Sequence, residues 1–192
     1  MDVTNPLAGA VLFQFGNAGP AASSITDVYF DDAENGALLQ LSIILDAAPF
    51  VDFEKGATPR NLPGASQASP RFETTNGFSA DSESPTQPSG VNPGESLGIL
   101  FSLRPGKSFA DVLAGFGDGS LRIGIHVQGF AGGGSESYVN VPEPGALRLV
   151  GLGLLGLGVR ARALRARSSD PGTLARAGDP VARGRPLSVP TS

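Results

Sequence analysis

The chain has no cysteine, no tryptophan, one methionine and one histidine among its 192 residues. Without cysteine there is no thiolate nucleophile and no disulfide framework. With His126 as the sole imidazole, a zinc site built from several Cys or His ligands is excluded as well. Aromatic residues are scarce, at 7%. Glycine and proline are not scarce: 27 and 16 residues, below the low-complexity range but rich in turns. The 40% of hydrophobic residues supply one modest core, so one domain with extensions is expected.

The net charge of −4 hides a split. Residues 1–144 carry 16 acidic and 6 basic side chains, a balance of −10, whereas residues 145–192 carry 2 acidic side chains and 8 arginines, a balance of +6. An acidic body of this kind repels phosphate backbones, and no nucleic-acid partner is expected for it. A basic C-terminal end suits either a nucleic-acid tail or a segment flanking a membrane. Its position after an apolar run favours the membrane.

The first 140 residues read as β structure. Val11–Phe15 and Ile25–Phe30 are rich in β-branched and aromatic residues and flank the turn cluster Gly16–Pro20. Asn35-Gly36 stands between Ile25–Phe30 and the apolar run Ala37–Leu45, the pattern of a type I′ hairpin. In that run Leu39, Leu41, Ile43 and Leu45 share one face at period two. The same alternation recurs in Leu97, Ile99, Phe101 and Leu103, and in Leu121, Ile123, Ile125 and Val127. Half-buried antiparallel strands follow, and the fold class is mainly β: a jelly-roll-like antiparallel β-sandwich with one short helix and a C-terminal single hydrophobic helix.

The short helix is expected over Phe109–Ala114, capped by Ser108 with Asp111 three residues on and stopped by Gly115, Gly117 and Gly119. Residues 56–95 are a long Pro/Ser-rich loop, mostly ordered, with one short strand near Arg71–Thr75 and with Phe72 and Phe78 pinning it to the body.

The C-terminal quarter or so, residues 141–192, is organised differently. Val141-Pro142-Glu143-Pro144 precedes Gly145–Val159, nearly all Leu, Gly, Val and Ala, and then come Arg160, Arg162, Arg165 and Arg167. This tripartite order over residues 141–167 resembles the PEP-CTERM sorting signal of Gram-negative bacteria. The resemblance implies that an exosortase, a membrane protease of the transpeptidase kind, recognises the Pro-Glu-Pro motif. It also implies an exported protein, held transiently in the inner membrane and then placed at the cell surface or in an exopolysaccharide matrix. Residues 1–140 are similar to the β-rich, cysteine-free cargo domains of such proteins, which implies a passive, non-enzymatic role in adhesion or matrix building and no cofactor.

Physical chemistry agrees with a short-lived anchor. Fifteen helical residues span about 22 Å against ~30 Å of hydrocarbon, a marginal length for a short transmembrane helix over 145–159. The four arginines orient it with residues 1–144 on the far side of the membrane. Arg148 stands within the segment and snorkels if it lies near the helix end. Glycines 151, 153, 156 and 158 disfavour a soluble helix, where each costs about 1 kcal/mol relative to Ala. Residues 168–192, rich in Arg, Pro and Gly, read as a disordered tail. Met1–Pro6 shows neither a basic n-region nor an apolar h-region, so no secretion signal is read at the start of this sequence.

Other candidate sites are weaker. Gly151–Gly156 spells G-x-G-x-x-G but lacks the strand, helix and acidic residue of a dinucleotide site. Asp27, Asp31, Asp32 and Glu34 offer oxygen atoms to Ca²⁺, with Asp31–Gly36 partly resembling an EF-hand loop; Ala33 and Ser42 occupy positions that need ligands. A solvated acidic hairpin is the simpler expectation. His126 alternates with the apolar residues of its strand and is expected to face solvent, with no G-x-S-x-G elbow to accompany it. Tyr29, Phe30 and Tyr138 are candidates for a sugar-binding face. The alternative function is a secreted carbohydrate-binding protein, or a carbohydrate-active enzyme using paired carboxylates.

Overall fold

A computed structural model describes residues 1–46 and 48–141, without the side chains of Glu34, Asn35 and Leu41. Among the described residues, nine strands form two antiparallel sheets. The strands are β1 (Asp2–Thr4), β2 (Ala10–Gly16), β3 (Ser24–Asp32), β4 (Leu39–Leu45), β5 (Phe53–Lys55), β6 (Ser79–Ser82), β7 (Ser96–Leu103), β8 (Leu121–Gln128) and β9 (Ser135–Val139). One sheet has the order β1-β2-β7-β4 and the other β5-β6-β3-β8-β9. Their inner faces share one core in which Phe13, Phe30 and Phe101 meet edge to face, with Phe30 and Phe101 centroids 4.7 Å apart. The period-two reading of β7 holds throughout: Leu97, Ile99, Phe101 and Leu103 are all buried.

The Asn35-Gly36 turn does not close a hairpin. Residues Ala33–Gly36 form a single helical turn, α1, that carries the chain from β3 in one sheet to β4 in the other. The reason lies at Asp32, whose carboxylate accepts the backbone N–H groups of Leu38 and Leu39, the latter at 2.7 Å. That carboxylate takes the place of a strand partner and turns the corner. Strand β4 also departs from a single apolar face. A bulge between Leu39 and Ser42 shifts its phase, so Leu39 is fully buried and Ile44 packs on the core, while Ile43 and Leu45 are 56% and 42% exposed.

Helix α3 runs over Phe109–Asp118, longer than expected. The capping box is present: the Ser108 N–H donates to Asp111 Oδ2 at 2.7 Å. Gly115 and Gly117 lie inside the helix, and only Gly119, at φ 82°, ends it. Gly115 is tolerated there because a Cβ at that position would sit 3.1 Å from Leu121 Cβ. A second short helix, α2, spans Thr86–Ser89.

The 56–95 excursion is ordered, and Phe72 and Phe78 are both buried as expected. Its strand, however, is β6 at Ser79–Ser82; Arg71–Thr75 belongs to no strand. That segment is tied by Thr75, whose N–H donates to the Phe30 carbonyl and whose Oγ1 accepts the Asp32 N–H, each at 2.8 Å. The stretch from Ala57 to Phe72 forms an arm that folds over the outer face of the five-stranded sheet. There Leu62, Ala65 and Phe72 close on Tyr29 in a second, smaller core.

Candidate functional site

Covering that outer face changes what its polar residues do. Asp27, Tyr29 and Asp31 alternate on β3, yet all nine residues of β3 are buried. Arg122 on β8 is only 8% exposed and forms an ion pair with Asp31, beneath the arm. The guanidinium also donates to the carbonyls of Pro70 and Arg71 and lies 5.4 Å from the Phe72 ring centroid. Gly124, two residues on, is the floor of this contact: a Cβ there would fall 2.7 Å from Leu62 Cδ2.

Of the four carboxylates considered for Ca²⁺, Asp27, Asp31 and Asp32 are engaged separately within the fold, and the Glu34 side chain lies outside the described residues. Asp27 accepts from Thr26 Oγ1 at 2.8 Å and from the Tyr29 hydroxyl at 3.1 Å. Asp31 holds Arg122 and the Glu73 N–H. Asp32 caps the sheet-crossing corner from the opposite face, and burial raises its pKa even though two backbone N–H groups favour the charged form. Among the described residues, no group of three His, Cys, Asp or Glu side chains is placed to hold a metal ion.

Register brings together residues that are far apart in sequence. Ser137, His126, Asp27, Asp81 and Glu54 occupy one row across β9, β8, β3, β6 and β5. His126 Nδ1 lies 3.0 Å from Ser137 Oγ. It is half-buried and not the open surface residue expected from alternation, because the arm rises beside it. At the other side of the row, burial and then the neighbouring Asp27 charge raise the pKa of Asp81. Burial, reinforced by Asp27, likewise pushes the Tyr29 phenol well above its ordinary value. With Tyr29 and Phe30 at 0% and 1% exposure, neither forms a sugar-binding face; Tyr138 alone of the three candidates is exposed.

Beside the His126–Ser137 pair a groove of about 610 Å³ opens between the Leu62–Pro70 arm and strands β8 and β9. Gln67, Ser69, Ser135, Ser137 and Asn140 supply hydroxyl and amide groups to its walls, and Leu62 and Val139 supply apolar surface. Such a volume and mixed lining suit a small polar ligand. The groove ends at Val141, the last of the described residues.

The end of β9 is sharply defined. Asn140 donates its backbone N–H to the Ile123 carbonyl at 3.0 Å, and its side-chain Oδ1 accepts the Ile123 N–H. One residue later Val141 is 73% exposed. Pro142, Glu143 and Pro144, the apolar segment 145–159, Arg160, Arg162, Arg165 and Arg167, and the tail 168–192 lie outside the described residues. No helix among the described residues is long and apolar enough to cross a membrane.

A two-sheet body whose last strand leads directly into a Pro-Glu-Pro, apolar and arginine sequence defines a class: a folded cargo followed by a C-terminal sorting segment. The particular signal is also known. Residues 140–163 match the PEP-CTERM protein-sorting motif, so this chain carries that signal, as its residues had indicated. The motif implies recognition by exosortase, a membrane protease, and an exported protein that transits the membrane. No curated protein and no solved structure matches the chain.

Proposed function

We propose that the protein is a non-enzymatic surface or exopolysaccharide-matrix component, a jelly-roll-like sandwich delivered by its C-terminal signal. Pro142-Glu143-Pro144 is the segment read by the exosortase. Residues 145–159 hold the chain transiently in the inner membrane, and Arg160, Arg162, Arg165 and Arg167 keep the C-terminal end on the cytoplasmic side. The body is then released or attached outside. The observation that carries this reading is the sorting-motif match over 140–163, beginning at Asn140, which is itself locked to Ile123.

Replacing Pro142–Pro144 by alanines in a host with the sorting machinery tests it. A membrane-bound precursor that no longer converts to a shorter product is the expected result. Unchanged processing and location would overturn the reading.

A second reading, carbohydrate binding, is supported by the hydroxyl- and amide-lined groove beside His126. Catalysis by paired carboxylates draws less support. Asp27 and Asp81 are cross-strand partners, but Asp27 is 4% exposed and its oxygens are taken by Thr26 and Tyr29.

A further inference from the structure

The groove between the Leu62–Pro70 arm and strands β8 and β9 is lined by two side chains that are held from behind. His126 Nδ1 is taken by Ser137 Oγ at 3.0 Å, and its Nε2 has no partner among the described residues. Asn140 Oδ1 accepts the Ile123 N–H, which fixes the carboxamide. Its Nδ2 donor likewise has no partner among the described residues. Both residues are half-buried, so each offers one polar atom on a plane that is already set.

The wall beside them is aliphatic. Leu62 and Ala65 belong to the small core beneath the arm, and half-buried Ala68 and Val139 carry that core to the groove surface. Among the described residues, none that lines the groove is aromatic, so a pyranose ring finds no face to stack on. No cation is on offer either. The Arg122 guanidinium is committed to Asp31 and to the carbonyls of Pro70 and Arg71. With His126 neutral, an anionic ligand meets the charge of Glu136 and none of opposite sign to spare.

We propose that this groove binds an acetamido sugar: the N-acetyl group of an uncharged hexosamine unit lodges between Asn140, His126 and the aliphatic wall of Leu62 and Val139. Each part of that group has a counterpart. Its carbonyl accepts from Asn140 Nδ2. Its N–H donates to His126 Nε2, in the tautomer whose Nδ1–H donates to Ser137 Oγ. Its methyl covers apolar surface that the hydroxyl of a plain hexose would leave against a polar atom. The ring hydroxyls are left for Gln67, Ser69 and Ser135 along the walls. A volume of about 610 Å³ is ample for one such unit. The choice of an acetamido sugar rests on the carbohydrate-binding reading of the groove and adds which sugar it takes.

The full chain in mild detergent is titrated with methyl glycosides of N-acetylglucosamine, N-acetylgalactosamine, glucose, galactose and glucuronic acid. Binding is followed by saturation-transfer NMR. At least one acetamido glycoside is expected to bind about tenfold or more tightly than its parent hexose, which leaves the two waiting polar atoms poorly matched. The acetyl methyl is expected to receive the strongest saturation. Asn140→Asp keeps an acceptor for the Ile123 N–H but removes the Nδ2 donor. It should lose that preference while melting close to the parent, and His126→Ala should lower it. Hexoses binding as tightly as acetamido sugars would overturn the acetamido assignment and leave carbohydrate binding standing. Tighter binding of the glucuronide, or a preference that survives both substitutions, would overturn it as well. Folded protein that binds none of the five glycosides would overturn both the assignment and the carbohydrate reading.

Discussion

Arg122 and Asp31 are cross-strand neighbours on β8 and β3, and the same guanidinium reaches outward to the carbonyls of Pro70 and Arg71. One side chain therefore joins the five-stranded sheet to the arm that covers it. Arg122→Ala leaves the Asp31 carboxylate buried beside an emptied site and frees two carbonyls. Truncating one partner of a buried pair costs about 3–5 kcal/mol. Denaturant unfolding is expected to show that loss, and limited proteolysis is expected to cut first within residues 62–75.

Gly124 allows the arm to lie close. A methyl group at this position would meet Leu62 Cδ2 at 2.7 Å and Phe72 Cζ at 3.2 Å. Gly124→Ala is expected to destabilise by about 1–3 kcal/mol through overpacking. Leu62→Ala, which removes the clashing atoms, should be markedly less harmful in the Gly124→Ala background than alone. A double-mutant cycle measures the coupling.

Asp81 faces Asp27 across β3 and β6, and its pKa is raised by burial and by that charge. A carboxyl raised in the folded state makes ionisation a cost. The cost is full at pH above the raised value and vanishes as pH falls below the ordinary carboxylate range, about 3.9 for Asp. Asp81→Asn keeps an acceptor for the Thr58 N–H. It is expected to melt at a higher temperature than the parent at pH 7, the two converging below that range. Equal melting temperatures at pH 7 would contradict the repulsion.

At the end of β9, Asn140→Ala removes the acceptor for the Ile123 N–H. A cost of about 1 kcal/mol is expected, with faster amide exchange at Ile123 and along β9.

Strand periodicity was legible where pairing ran without a bulge: β7 alternates as its sequence does, and Ser108 with Asp111 announced the start of α3. Less legible were features decided by pairing. The bulge after Leu39 reverses the outward face of β4, and no local residue type marks it. Asn35-Gly36 is a turn, but Asp32 decides that it crosses between sheets. Arg122 and His126 alternate with apolar residues as solvent-facing side chains do, yet an arm some 50 residues earlier in the chain covers one and shelters the other. The His126–Ser137 pair and the Asp27–Asp81 pair depend on register between distant strands, which composition and spacing do not reveal. Proline in the arm signalled a loop; Phe72 signalled that it would be anchored.

The lock between Asn140 and Ile123 acts as a ruler for anything that shortens the chain from its C-terminal end. An exopeptidase trimming inward meets an exposed residue at Val141, and the next removal takes the side chain that holds the end of β9. Trimmed ends should therefore accumulate at Asn140 or Val141, and under the proposed release the product would keep a nearly constant C-terminus even where the releasing cut is loosely placed.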